Sequence, residues 1–226
     1  MKLDNKRTIL TGFAFLSICA FWQMYNSIVP LILTNTFHLN ETYSGAIMAA
    51  DNVLALFLLP LFGAISDKTH TRIGKRMPFI LFGTGLAIIL MNLLPLIDNS
   101  YAAAPTTFKT VSFVVVLGLL LVAMGTYRAP AVALMPDVTP KPLRSRANAI
   151  INLMGAVGGI LYLGVAAVLY PNSKTAGLDH VNYQPLFIVV SAIMFVAVAV
   201  LFLTIREPKL TAENQALEKQ HPACCL

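Results

Sequence analysis

Apolar residues in this chain do not recur as a narrow stripe at helical spacing. They fill six long stretches, at 8–33, 44–66, 78–97, 111–135, 147–169 and 185–205. Each break between them holds charges, prolines or clusters of Asn, Asp and Gly, the residues that end or turn a helix. A helix that crosses the hydrocarbon layer needs about 20 mostly apolar residues. All six stretches meet that length. The pattern predicts an all-α membrane protein of six transmembrane helices over residues 1–210, followed by a polar tail over 211–226 expected to be disordered.

Composition agrees. Of 226 residues, 57% are hydrophobic and 12% charged, too few polar groups to coat a soluble domain of this size. The formal net charge of +6 raises the question of nucleic acid, but the basic residues lie in short clusters between apolar runs. That arrangement sets membrane topology and gives no reason to expect a nucleic-acid partner. The first apolar run is too long for the core of a signal peptide. Three cysteines offer neither a disulfide framework nor metal-ligand spacing. No nucleophile paired with a base and no glycine-rich phosphate loop is visible, so an enzyme is not expected, nor a cofactor or metal.

Orientation follows from Lys and Arg. Thirteen of the 16 fall before the first stretch, in the second and fourth breaks, or after the sixth. The opposite side holds only Lys109 and Lys174, and Arg128 lies inside a stretch. Basic loops stay cytoplasmic, so both termini are expected in the cytoplasm of a multi-pass plasma-membrane protein.

The second break runs from Gly63 through Asp67, Lys68, Arg72, Gly74, Lys75 and Arg76 to Pro78. Gly63, one turn before the helix end, is expected to admit a neighbouring backbone. Asp67 falls at the negative end of helix 2, where an acid is disfavoured unless a cation compensates it. Arg72, Lys75 and Arg76 are at hand, which makes this loop a candidate latch. Asp137 and Arg146 flank the fourth break and are expected to pair with each other or with Arg76 as a second latch. Asn148, Asn152, Gly155 and Gly159 share one face of helix 5, a spacing that brings helices together.

Gly-x-x-x-Asp followed by Gly-Lys-Arg resembles the helix 2–3 loop motif of the major facilitator superfamily, although Gly74 stands seven residues after Asp67 where three is usual. The longer run from Ser66 to Phe79 is similar to that of sucrose and glycoside–pentoside–hexuronide cation symporters. The Ala133–Asp137 segment, Arg146 to Ala149, Gly155 to Gly159 and Glu207-Pro208-Lys209 resemble the same group. Val132 stands where plant-type sucrose carriers place an arginine. The resemblance implies the N-terminal six-helix half of a twelve-helix fold, built as 3+3 inverted repeats. It also implies cation-coupled sugar symport by alternating access, helices 1 and 4 lining the cavity, and a requirement for a second six-helix half, as a separate chain or a second copy.

On that frame three places carry chemistry. Arg128, with Tyr127 beside it and Pro130 after it, costs about 2.5–3.5 kcal/mol at a helix centre unless it faces a partner or a wet cavity. Asp51 lies seven residues into the second stretch, where a carboxylate can bind a coupling proton or sodium ion. Trp22, Gln23 and Asn26 offer an indole and two amides, the groups that stack on and hydrogen-bond a hydroxylated ring. Trp22, Gln23, Asn26, Tyr127 and Arg128 are therefore the expected sugar contacts. A truncated, non-transporting membrane subunit and a drug-type exporter of the same superfamily are the alternatives.

Overall fold

The computed structural model describes residues 4–171, 175, 178 and 180–220. Six helices long and apolar enough to cross a membrane are present among them: α1 Asn5–Leu31, continued by a π-helical turn at Ile32–Thr36, α2 Glu41–Lys68, α3 Met77–Ala103, α4 Thr107–Val138, α5 Arg144–Leu169 after a 3-10 turn at Lys141–Leu143, and α6 Gln184–Thr204. A seventh helix, α7 Glu207–Gln220, occupies most of the stretch expected to be disordered. Its contacts with the bundle explain the difference: Asn214, itself buried, donates to the Asp137 carbonyl at 3.1 Å, and at the surface Arg7 of α1 pairs with Glu213 at 2.9 Å.

Helix ends follow local chemistry. The Asp4 side chain accepts from the Arg7 amide and caps α1, as short acceptors do at an N-terminus. Lys109 donates to the Ser100 and Ala104 carbonyls, both at 2.8 Å, at the C-terminal end of α3, where carbonyls lack their next helical donors. Pro30, Pro60, Pro95, Pro130 and Pro136 all lie inside helices, which the backbone of a membrane bundle tolerates when neighbours re-satisfy it.

Helix α1 is the hub. It packs most broadly on α5 and then on α6, while α3 packs on α4 and α6, and α2 rests chiefly on α4. Close approach of α1 and α5 depends on glycine: a Cβ on Gly158 would stand 2.1 Å from the Leu16 carbonyl oxygen, and one on Gly155 would stand 2.9 Å from Cys19 Sγ. The packing row on α5 is therefore Ile151, Gly155, Gly158 and Tyr162. Gly159, expected in that row, has no neighbour within 4 Å, and Asn148 and Asn152 are exposed. Helical drift of 3.6 residues per turn moves the contact row from 159 to 158.

Helix α2 is the opposite case. Only Ser44 and Ser66 on it are buried, and Val53, Leu56, Phe57 and Leu61 are exposed. Gly63 likewise has nothing within 4 Å of a Cβ, so the neighbouring backbone expected there is not among the described residues. All six helices form one bundle with an α2 face left open.

Candidate functional site

Two groups of side chains stand out, one between helices and one at the basic end. Both start from the same electrostatic fact: charge inside a bundle must find a partner or water.

At the basic end Arg76 is the centre, with its side chain 5% exposed. It is the residue just before α3 and reaches across the ends of two other helices. Its guanidinium pairs with Asp67 of α2, donates to the Ser66 hydroxyl, binds the Gly63 carbonyl at 3.3 Å, and meets Asp137 of α4 at 3.0 Å through Nε. Lys75 Nζ lies 3.0 Å from Asp137 and 3.7 Å from Asp67. Two acids and two bases thus tie α2, α3 and α4 together, and the planar five-donor fork of arginine suits so many acceptors better than lysine would.

The third part of this cluster was not foreseen. Glu207, 1% exposed, opens α7 and inserts its carboxylate under the start of α3. It accepts from the backbone amides of Lys75 at 2.9 Å, Arg76 at 3.0 Å and Met77 at 3.0 Å. Arg76, at the N-cap position, supplies no side-chain cap of its own, so the orphan donors of this helix end are met by a residue 130 positions away. Gly74 makes room. Its φ is +123°, and a Cβ there would fall 2.2 Å from Glu207 Oε2. The sequence signal was present as an acid immediately after an apolar helix, facing a helix start that lacked a capping side chain.

Not all the expected latch residues join. Arg72 and Arg146 are exposed and lie outside the cluster. Arg76 already takes both acids, and Arg144, two residues before Arg146, occupies the α4–α5 corner by donating to the Pro136 carbonyl at 2.8 Å and the Thr139 carbonyl at 3.2 Å.

Between α1, α2 and α4 lies a small opening lined by Trp22, Asp51, Leu54, Leu58, Gly125 and Arg128, among others, with room of about 20 Å³. That is about one water molecule. The Arg128 guanidinium sits over the Trp22 ring, 5.5 Å from its centroid, a cation–π contact that offsets some of the cost of a half-buried charge. No ion pair joins Arg128 to Asp51, although both line the opening. Asp51 instead accepts from Asn52 at 2.8 Å. The Trp22 indole N–H is buried and has no acceptor. The opening therefore presents a carboxylate, a guanidinium and an unmet donor to whatever enters.

Gln23 and Asn26 stand beside this lining without joining it, Gln23 half-buried and Asn26 exposed. Trp22, Asn26 and Pro30 form the open row of α1 between the buried rows of Phe21, Met24, Tyr25 and Ile28. Tyr127 corrects an expectation. It is fully buried, donates to the Ala14 carbonyl at 2.9 Å and shares a hydrogen bond with Ser17 at 2.5 Å. Its neighbour Arg128 points to the opening, and one helical step of about 100° turns Tyr127 into the α1–α4 contact, where it holds helices together and meets no solute.

A six-helix membrane bundle with a charged knot across the ends of α2, α3 and α4, and ionisable groups gathered between α1, α2 and α4, has the form of one half of a solute-carrier fold. The chain belongs to the Major Facilitator Superfamily, which it matches over residues 11–224. It is 30% identical over 160 residues to "Sucrose transport protein SUC3" of Arabidopsis thaliana, covering 65% of this chain and 26% of that protein. It is 32% identical over 123 residues to "Sucrose transport protein SUT3" of Oryza sativa subsp. japonica, covering 48% and 24%. With "Solute carrier family 45 member 3" of Homo sapiens the figures are 26% over 204 residues, covering 87% and 36%. The chain thus spans about a quarter to a third of the length of these relatives.

Proposed function

We propose that this chain is one wall of a cation-coupled carrier for sucrose-like, hydroxylated small solutes, working by alternating access. The observation that carries the reading is the shared opening of Trp22, Arg128 and Asp51, with an indole N–H that has no acceptor and a carboxylate that has no ion pair among the described residues. A sugar brings hydroxyl acceptors for the indole N–H and the guanidinium and a ring face for stacking. Asp51 would bind the coupling proton or sodium ion. The names carried by two relatives support the substrate class.

Six helices make half of such a cavity, and the exposed apolar face of α2 supports a second six-helix unit beside it. That unit is either a further part of the same carrier or a second copy of the chain. The basic cluster would close the cytoplasmic side: Arg76 ties α2 to α4 in one state, and rocking of the two units would strain or release those pairs. Basic-end loops are placed in the cytoplasm, and the protein in the plasma membrane, on the positive-inside bias.

The test is sucrose uptake into proteoliposomes under an imposed proton or sodium gradient. The chain is reconstituted alone and with the six-helix partner encoded beside it where there is one. Gradient-driven uptake that falls at least tenfold in both Asp51→Asn and Arg128→Gln supports the reading. Uptake that is absent in every pairing, or indifferent to both substitutions, overturns it.

A further inference from the structure

A third place, at the basic end, belongs neither to the Arg76 cluster nor to the opening. It is a groove of about 420 Å³ between the start of α3 and the end of α6. Arg72 and Ile73 of the α2–α3 loop, Met77 of α3, Phe202 of α6, Arg206 between α6 and α7, and Lys209 in the first turn of α7 line it, among others. Arg72, singled out by its motif yet outside the latch, thus has a place here.

The three cations are exposed, and none makes an ion pair among the described residues. The acids that could answer them are committed elsewhere. Glu207, next to Arg206, turns its carboxylate to the amides that start α3, and Asp67 and Asp137 hold Arg76 and Lys75. No described acid lines the groove. A basic bias on one side is general to membrane bundles. It sets how many cations there are, and does not explain why three from two distant segments meet at one groove. The groove also has an apolar part. Ile73 is 42% and Phe202 40% exposed, with Met77 and Ile205 buried beside them. The apolar span of α6 ends at Thr204, so the groove lies where a spanning helix leaves the hydrocarbon and meets the headgroups.

We propose that this groove binds one anionic phospholipid from the leaflet on the basic side. Its phosphate takes charge-assisted hydrogen bonds from Arg72, Arg206 and Lys209, in the manner of basic pockets between spanning helices. Its glycerol and first acyl carbons cover Ile73 and Phe202. A free phosphate would leave both apolar side chains in water, and a choline headgroup would bring a fourth positive charge among three. The lipid joins the α2–α3 loop to the α6–α7 corner, beside the Glu207 cap that ties the same parts together. The site stands whether or not the carrier reading does.

The test is native mass spectrometry of the full chain released from detergent. It is titrated with phosphatidylglycerol, with phosphatidylcholine, and with phosphatidylglycerol in the presence of soluble glycerol phosphate. One phosphatidylglycerol is expected to bind more tightly than phosphatidylcholine by about tenfold or more, and glycerol phosphate is expected not to displace it. A basic group near anionic lipid is worth about fivefold in affinity. Arg72→Gln and Arg206→Gln should each weaken binding by that factor, and with Lys209→Gln added the loss should be about a hundredfold. Phe202→Ser should weaken it several-fold. Lys6→Gln, Lys68→Gln and Arg146→Gln together remove as much charge from exposed positions at the same end, outside the groove. Screened by solvent, they should leave affinity within about twofold. If the triple groove variant does not fold, the two single variants carry the test. Equal binding of phosphatidylcholine, displacement by glycerol phosphate, or an equal loss in the control triple overturns the proposal.

Discussion

Replacing Glu207 by alanine tests how the chain joins its last helix to the bundle. The carboxylate accepts three backbone amides at 2.9–3.0 Å and is 1% exposed. Bonds to a charged acceptor are worth about 1.5–3 kcal/mol each where nothing replaces them, which would put the loss above about 5 kcal/mol. Water decides otherwise. Glu207 also borders a groove of about 360 Å³ with Asp67, His70 and Thr71, so solvent can reach the freed donors, and about 1 kcal/mol per bond is the better figure. A loss of about 3 kcal/mol lowers the melting temperature of a protein this size by about 6–12 °C on the scaling for 150–250 residues. Glu207→Gln keeps one acceptor oxygen and loses the charge, and is expected to lose about half as much. Gly74→Ala strains a positive φ and drives a Cβ into the same carboxylate, so its effect shrinks when Glu207 is already alanine. The assay is thermal unfolding of purified protein in detergent for the two single variants and the double variant. A Glu207→Ala midpoint within 2 °C of wild type, or full additivity with Gly74→Ala, would refute the capping role.

Other consequences are equally specific. Arg76→Met is expected to destabilise by about 3 kcal/mol, because it leaves the Asp137 carboxylate to Lys75 and removes the bonds to Ser66 and Gly63 at a buried side chain, whereas Asp67→Asn, at a side chain 57% exposed, is expected to move the midpoint by less than about 2 °C; parallel melting curves decide it. Gly158→Ala should abolish the folded monodisperse peak in gel filtration while Gly159→Ala leaves it intact, since the first added methyl meets backbone at 2.1 Å and the second meets nothing. Tyr127→Phe should cost about 1 kcal/mol of stability with solute affinity unchanged, and a loss of affinity by equilibrium binding would return Tyr127 to the solute site. Trp22→Phe, which removes the unmet N–H and leaves a smaller aromatic ring, should weaken solute binding several-fold by equilibrium binding.

Much of the fold could be read because lipid imposes a coarse rule. Length and apolarity alone mark a spanning helix, and six such runs locate six helices whatever their packing. Where each helix turns its faces is a finer matter. Gly155 and Gly158 against Gly159, or Tyr127 against Arg128, differ by one residue, and only the neighbouring helix decides which of them is covered. Arg76 was found because its acids lie at recognisable helix ends nearby in the motif. Glu207 was passed over as a cap because its partners are 130 residues away in sequence and are backbone amides, which carry no side-chain signature.

The two ends of the bundle also differ in kind, and the difference bears on what each can do. Arg76, Lys75, Asp67 and Asp137 balance two positive charges against two negative, with the Asp67 side chain 57% exposed. Such a knot can break only when helix ends move apart, which makes it sensitive to geometry. Asp98, at the other end, has no exposed surface and, among the described residues, no hydrogen-bond partner on its carboxyl oxygens. The helix ends are therefore held by ion pairs on the basic side and, on the other, by contacts of neutral groups such as Asn99 with Asn182 and Phe37 with Tyr101.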